Sequence, residues 1–391
     1  MTDYKNLSGK FAIVGVAESD ELGILPHKSA LQLHAEAARS AIDDAGLSKN
    51  DIDAVFSAGR SFSSETAEYL GIRPRFIDGT ILGGCSFVLH GQHAMAAINA
   101  GLCEVALVTH GESARSRVGM SIIPMHDLAK DSLPWQFEIP YGIYFPYTHY
   151  GLAATRHMHQ YGTTHEQMAE VAVATRAWAR LNPRAAERGP LTIKDVLNSP
   201  FVSWPFHTLD CCLFTDGGGA YILTSAERAK DLKKKPIYIL GTGEGAGHAW
   251  INQMADFTTA IAAQISGKQA FAMAGVTHKD IDLAMLYDAF TITPIFALED
   301  LGFCKKGEGG PFVSGQRTAP GGDFPMNTNG GGLSYTHNLM YGIFTIIEAV
   351  RQLRNECGER QVKDAKVALC HGWGGLFSAA ATMILSNEPK P

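Results

Sequence analysis

AGLSKNDIDAV at residues 45–55 and AGVTHKDIDLA at residues 274–284 share one frame. In each, an Ala-Gly pair ends a helical stretch, a short polar turn follows, and Asp-Ile-Asp leads into an apolar strand. The helical stretches are alanine-rich: LQLHAEAARSAIDD (31–44) before the first and ISGKQAFAM (265–273) before the second. Ahead of each helix lies a glycine-bounded apolar run, FAIVGVAES (11–19) or PIYILGTGEG (236–245), that reads as a strand. A second correspondence follows in the same order. GGCSF (83–87) opens a helix that leads to EVALVTHG (104–111), while GGGLSYTH (330–337) opens LMYGIFTIIEAVRQLR (339–354), which leads to KVALCHG (366–372). Two matches in one order predict a duplicated α/β unit. Strands alternating with helices predict a layered fold with mainly parallel sheet. The KKKP run (233–236) divides the chain into an N-terminal half, 1–235, and a C-terminal half, 236–391.

Residues 113–205 break the repeat. The stretch LPWQFEIPYGIYFPYTHYG (133–151) is rich in proline and aromatic residues, and TTHEQMAEVAVATRAWARLNP (163–183) then reads as helix. Long excursions of this kind usually carry function or interfaces, so the segment is expected to line a pocket.

Composition narrows the function classes. The chain has 391 residues, 46% hydrophobic and 18% charged, with a formal charge of −6, which excludes a basic nucleic-acid-binding stripe. The start, MTDYKNLSGK, has no apolar signal segment, and no apolar run is long enough to span a membrane. Seven cysteines include no CxxC pair, and no Cys/His cluster has metal-ligand spacing, so free thiols, a cytoplasmic compartment and no metal are expected. The one GxG stretch, GTGEGAG (241–247), lacks a following dinucleotide-binding unit.

Cys85 follows two glycines and precedes a helix. At a helix N-terminus the unpaired N–H groups and the dipole favour a thiolate, the nucleophilic form of cysteine. A tight-turn filler is the competing structural reading.

The repeated halves, DGGGAYILTSAERA (216–229), and the glycine-rich loops at 83, 330 and 372 resemble the thiolase superfamily, in particular its sterol-carrier/lipid-transfer branch. The resemblance covers the whole chain and implies the thiolase fold: duplicated βαβαβαββ halves in an α-β-α-β-α layering with an inserted loop domain. Four catalytic loops of that family match in order as GGCSF, YDAF (287–290), THN (336–338) and CHG (370–372). The resemblance thereby implies Cys85 as nucleophile, His337 as donor to the thioester oxygen, and Cys370 as general acid/base. Tyr287 would orient a water or act as acid/base itself, with Gly372 and Asp288 as oxyanion and loop support. Departures from the family pattern are visible as well. Gly84 stands where the family's nucleophile usually lies, Tyr287 replaces Asn or His, and Asn338 replaces a proline.

The implied activity is a CoA-dependent acyltransferase that cleaves or forms a 3-oxoacyl-CoA through acyl-Cys85, with CoA as cosubstrate and no tightly bound cofactor. The alternative is a retro-aldolase on a 3-hydroxyacyl-CoA that uses Tyr287 and His337 and forms no covalent intermediate. A lipid or acyl-CoA carrier is the third reading, and four polar loops converging on one place argue against it. The family further implies a homodimer and a small zinc-ribbon/OB-fold partner protein.

Overall fold

Both Ala-Gly pairs end helices. Gly46 and Gly275 close Ala30–Ala45 and Ile261–Ala274 in left-handed conformations, φ 72° and 71°, which glycine adopts without a steric penalty. Each helix lies directly on a strand. A Cβ on Gly15 would strike the Ala41 carbonyl, and one on Gly241 would strike that of Ala270. Gly243 and Gly245 meet the same helix in the same way, so the GTGEGAG glycines serve close helix–strand packing.

The computed structural model describes residues 4–59, 61–118, 129–144 and 146–390. Its strands are β1 (Phe11–Glu18), β2 (Ala54–Ser57), β3 (Phe76–Asp78), β4 (Val105–Glu112), β5 (Phe201–Ser203), β6 (Phe206–His207), β7 (Gly217–Ser225), β8 (Ile237–Ala246), β9 (Leu283–Leu286), β10 (Val367–Gly374) and β11 (Ala379–Ser386). Nine form one sheet in the order β3-β2-β4-β7-β1-β8-β11-β10-β9, and β5-β6 is a separate hairpin. The order runs outward from the β1–β8 centre as β7, β4, β2 on one side and β11, β10, β9 on the other. The sequence repeat is thus a repeat of position in the sheet.

Pairing is parallel only in the outer strands, β2–β3, β2–β4 and β9–β10. Through the middle it is antiparallel. The reason is local: β10 turns into β11 within four residues, a connection too short for a parallel crossover. In the first half the chain returns as β7 beside β4 only after the long excursion.

Two helices, Ser86–Asn99 and Gly342–Leu353, pack against each other and against strands of both halves. A Cβ on Gly91 would meet Met383 of β11 and Tyr221 of β7, so the first helix is held between the halves. Gly342–Leu353 is buried at every residue except Arg351, and its polar stripe is satisfied internally: Glu348 accepts from Arg360 at 2.9 Å and Gln352 donates to the Arg360 carbonyl at 2.9 Å. Arg351 itself grips Glu18 through two bonds of 2.5 and 2.6 Å. Ala30–Ala45 covers the β1, β4 and β7 part of the sheet and Ile261–Ala274 its β8 and β11 part, so the layers are helix, one half of the sheet, the two central helices, the other half of the sheet, helix.

The 113–205 excursion carries the helices Leu133–Phe137, Pro146–Tyr161, His165–Arg180 and Ile193–Asn198. Its residues 119–128 and 145 lie outside the described residues. Among the described residues no helix is long and apolar enough to cross a membrane.

Candidate active site

Three glycine-marked loops and the end of β9 meet at a cavity of about 710 Å³. Its polar floor consists of Tyr287, His337 and the Gly83–Gly84 backbone, and its walls include Tyr147, Tyr150, Phe214, Phe290 and Trp373.

Tyr287 stands just past β9, held there by its N–H donating to the His371 carbonyl at 3.0 Å. The Tyr287 hydroxyl lies 2.9 Å from His337 Nε2 and 3.4 Å from the Leu339 carbonyl. Burial drives the phenol well above its usual value of 10 and lowers His337 to about 4, so both are neutral at physiological pH. A neutral phenol against a neutral imidazole can pass a proton between them.

His337 is placed by the glycine loop before it. Gly330 and Gly331 take φ of 105° and 60°, and a Cβ on Gly331 would collide with the Asp288 carboxylate. Asp288 accepts from the Gly332 N–H at 2.6 Å and the Leu333 N–H at 3.3 Å, while burial raises its pKa to about 7. It supports the loop and does not line the cavity.

Gly84 lies against the face of Tyr287, where an added Cβ would stand 2.8 Å from the hydroxyl oxygen. Gly83, at φ 84°, lets this turn reach the Gly374–Gly375 turn, since a Cβ there would sit 2.8 Å from the Gly375 N. Tyr150 locks the opposite side by donating to the Gly375 carbonyl at 2.8 Å.

The structure buries both Cys85 and Cys370. Cys85 does begin the Ser86–Asn99 helix, but its side chain is fully buried and its thiol points to the Leu82 carbonyl at 3.7 Å. Burial pushes this thiol up to about 12, so desolvation outweighs the helix terminus that was expected to favour the thiolate. Cys370 is equally buried, donates to the Thr345 carbonyl at 3.4 Å, and has its pKa raised by burial. Gly372 packs on the Cys85 backbone, where a Cβ would meet Cys85 Cα at 2.8 Å. None of the three reaches the cavity surface.

The repeat-related His110 and His371 are buried, on the Asn338 carbonyl and Thr382. Among the described residues no group of three or more His, Cys, Asp or Glu is placed to hold a metal ion. The excursion lines part of the cavity through Pro146, Tyr147, Tyr150 and Val202. The DCCLFTD stretch (210–216) also lines it, through Cys211–Phe214, a role that no motif or spacing in the sequence signalled.

Residues 243–387 match the family described as Thiolase C-terminal domain-like. The chain is 34% identical over 390 residues to the acetyl-CoA acetyltransferase of Methanothermobacter thermautotrophicus, covering 96% of this chain and 99% of that protein. It is 35% identical over 359 residues to the steroid side-chain-cleaving aldolase of Thermomonospora curvata, covering 89% and 91%. The solved Ltp2-ChsH2(DUF35) aldolase superposes with a TM-score of 0.89 at 32% identity, covering 97% of this chain and 98% of that one. With the duplicated sheet and the four converging loops, these similarities establish that the chain belongs to the thiolase family and is one of its thiolase-fold enzymes.

Proposed function

We propose that the protein breaks a carbon–carbon bond of an acyl-CoA in a retro-aldol step, with Tyr287 and His337 as its proton-transfer pair. The observation that carries this reading is the 2.9 Å Tyr287–His337 contact on the cavity floor, above a glycine. At that floor position a thiolase mechanism needs a nucleophilic side chain. A 3-hydroxyacyl-CoA would bring its C3 hydroxyl against Tyr287. The substrate hydroxyl gives its proton to the phenol oxygen while the phenol proton passes to His337 Nε2. The C2–C3 bond breaks, C3 becomes a carbonyl, and the electron pair moves to C2 as a thioester enolate. That enolate takes the proton at C2, which restores Tyr287 and His337 and releases a shorter acyl-CoA. The aromatic walls favour an acyl group bulkier than acetyl.

A second reading is acyl transfer through Cys85 with CoA as cosubstrate. It is supported by the archaeal acetyltransferase similarity and by the position of Cys85 one residue past Gly84. It requires the buried sulfur to turn toward the cavity.

The proposal includes a homodimer joined through the β3 edge, where Ile77 and Ile81 are exposed beside the unpaired strand. It also includes a small OB-fold partner protein, in line with the DUF35 component of the solved aldolase. A cytoplasmic setting is consistent with seven free cysteines, and the β1–β8 junction is consistent with halves divided at 235/236.

The test uses 3-hydroxy-3-phenylpropanoyl-CoA, whose retro-aldol products are benzaldehyde and acetyl-CoA. Benzaldehyde release without added CoA, lost by about 10²–10⁴ in Tyr287→Phe and His337→Gln, is the expected result. Strict dependence on free CoA with an acyl adduct on Cys85 in the intact mass would favour the second reading.

A further inference from the structure

The segment 210–216 runs across both loops that carry the proton-transfer pair. On the Tyr287 side, Thr291 donates its N–H to the Asp210 carbonyl at 2.9 Å and its hydroxyl to Asp210 Oδ1 at 2.8 Å. Cys212 N–H donates to the Ala289 carbonyl at 2.9 Å. On the His337 side, Leu213 N–H donates to the Gly332 carbonyl at 2.9 Å. Thr215 then closes a two-way bond with His337: its N–H donates to the His337 carbonyl at 3.1 Å, and its Oγ1 accepts the His337 N–H at 2.9 Å. The Thr215 and Thr336 hydroxyls lie 2.8 Å apart, so a proton shared with Thr336 leaves Thr215 Oγ1 a lone pair for His337. At its far end the segment is anchored by Asp216, whose carboxylate accepts the N–H groups of Leu25, Arg115 and Ser116 at 2.6–2.9 Å.

From this geometry we infer that Thr215 is a positioning residue: its hydroxyl fixes the His337 backbone and thereby sets the 2.9 Å contact of the imidazole with Tyr287. The inference rests on the retro-aldol reading of that pair for its effect on rate, and on geometry alone for its effect on position. The neighbours of His337 are tied down separately, Thr336 by its N–H to the Gly331 carbonyl at 3.4 Å and Asn338 by its carbonyl to His110 at 3.3 Å, which leaves Thr215 to hold the His337 N–H and carbonyl. The His337 Nδ1 has no hydrogen-bond partner, and the residue stands two positions past the single helical turn Gly331–Tyr335, outside any regular element. Removing the Thr215 hydroxyl leaves a buried N–H unpaired, and the cheapest relief is a shift of the 336–338 backbone. A displacement of about 1 Å in a reacting pair is enough to cost up to about 100-fold in rate.

Three variants decide the matter: Thr215→Val, which keeps the shape and removes the hydroxyl, Thr215→Ser, which restores it, and His337→Gln. Benzaldehyde release from 3-hydroxy-3-phenylpropanoyl-CoA is measured for each beside a crystal structure of each Thr215 variant. The expected result for Thr215→Val is a kcat lowered about 10- to 100-fold with KM within about threefold. Its Tyr287 Oη–His337 Nε2 separation should open beyond hydrogen-bonding range, and Thr215→Ser should return both kcat and distance to near wild type. Thr215→Val that keeps the wild-type distance overturns the inference whatever the rate. So does a loss that Thr215→Ser fails to rescue. If His337→Gln turns over normally, the retro-aldol reading fails instead, and the crystal structures still decide whether Thr215 positions the imidazole. Should Thr215→Val not fold, Thr336→Val removes the hydroxyl that orients Thr215 and is held to the same distance criterion.

Discussion

The face of Tyr287 rests on the backbone of Gly84, so closely that a Cβ at residue 84 would lie 2.8 Å from the phenol oxygen. One position therefore decides what the floor of the cavity can be. A side chain there and the present placement of Tyr287 exclude each other, because both need the same volume.

Gly84→Ala should accordingly push the Tyr287 ring out of register with His337. Overpacking of this kind costs about 1–3 kcal/mol of stability. The loss of turnover should be the larger effect, at least about 100-fold. Thermal unfolding measured beside turnover checks this. A variant that is as active as wild type would show that Tyr287 does not need its seat on Gly84.

Cys85→Ser should retain turnover within a few-fold and form no covalent adduct with an acyl-CoA. Its thiol is fully buried and faces the Leu82 carbonyl, with burial pushing the pKa up to about 12. Intact-mass spectrometry and steady-state rates on the same sample suffice. Loss of at least about 10³ in rate, the scale for removing a nucleophile that acts as part of a unit, would instead return the chemistry to acyl transfer.

The pH–rate profile should be flat through the neutral range. Burial holds His337 down to about 4 and Tyr287 well above 10, so the pair keeps one protonation state from about pH 5 to pH 9. The acid limb falls as His337 takes up a proton and can no longer receive one from Tyr287. An alkaline rise in kcat through pH 8–9 would point to a thiolate and away from this pair.

Stability should fall steeply on acidification. His34, His90, His110, His337 and His371 are buried, and burial lowers their pKa values from 6.5 to between about 3 and about 4. Below pH 6.5 the unfolded chain binds these protons and the folded one does not, so their contribution is complete above 6.5 and is lost as pH falls towards 4. Each costs about 1.4 kcal/mol per pH unit in that window. His93 acts in the opposite direction. Its hydrogen bond to Asp78, at 2.6 Å, raises it to about 9, so its contribution is full below 6.5 and fades as pH rises through 9. Melting temperatures from pH 7 to pH 4.5 should drop progressively. A flat profile would mean that the five rings are solvated in solution.

The duplicated half was legible in the sequence because helix ends and strand faces are local. Ala-Gly before Asp-Ile-Asp recurs because each left-handed helix stop needs glycine, and the strand glycines recur because each helix backbone lies on its strand. The loops meeting at the cavity were legible for the same reason, since glycine turns punctuate the strand and helix ends. What the sequence left undetermined was direction and depth. Cys85 and Gly84 are neighbours in the chain, yet one faces the cavity and the other faces the core, and only the packing of the Gly374 turn against the Cys85 sulfur decides which. For Cys370 the Cys-x-Gly match implied chemistry while the apolar strand it ends implied the core, and the fold decides for the core: the Gly342–Leu353 helix covers it and its thiol donates to the Thr345 carbonyl. Thr215 gave no local signal, because its partner lies 122 residues away. Local backbone demands are written residue by residue, whereas the burial of a sulfur and the aim of an imidazole are set by atoms that only the folded chain brings together.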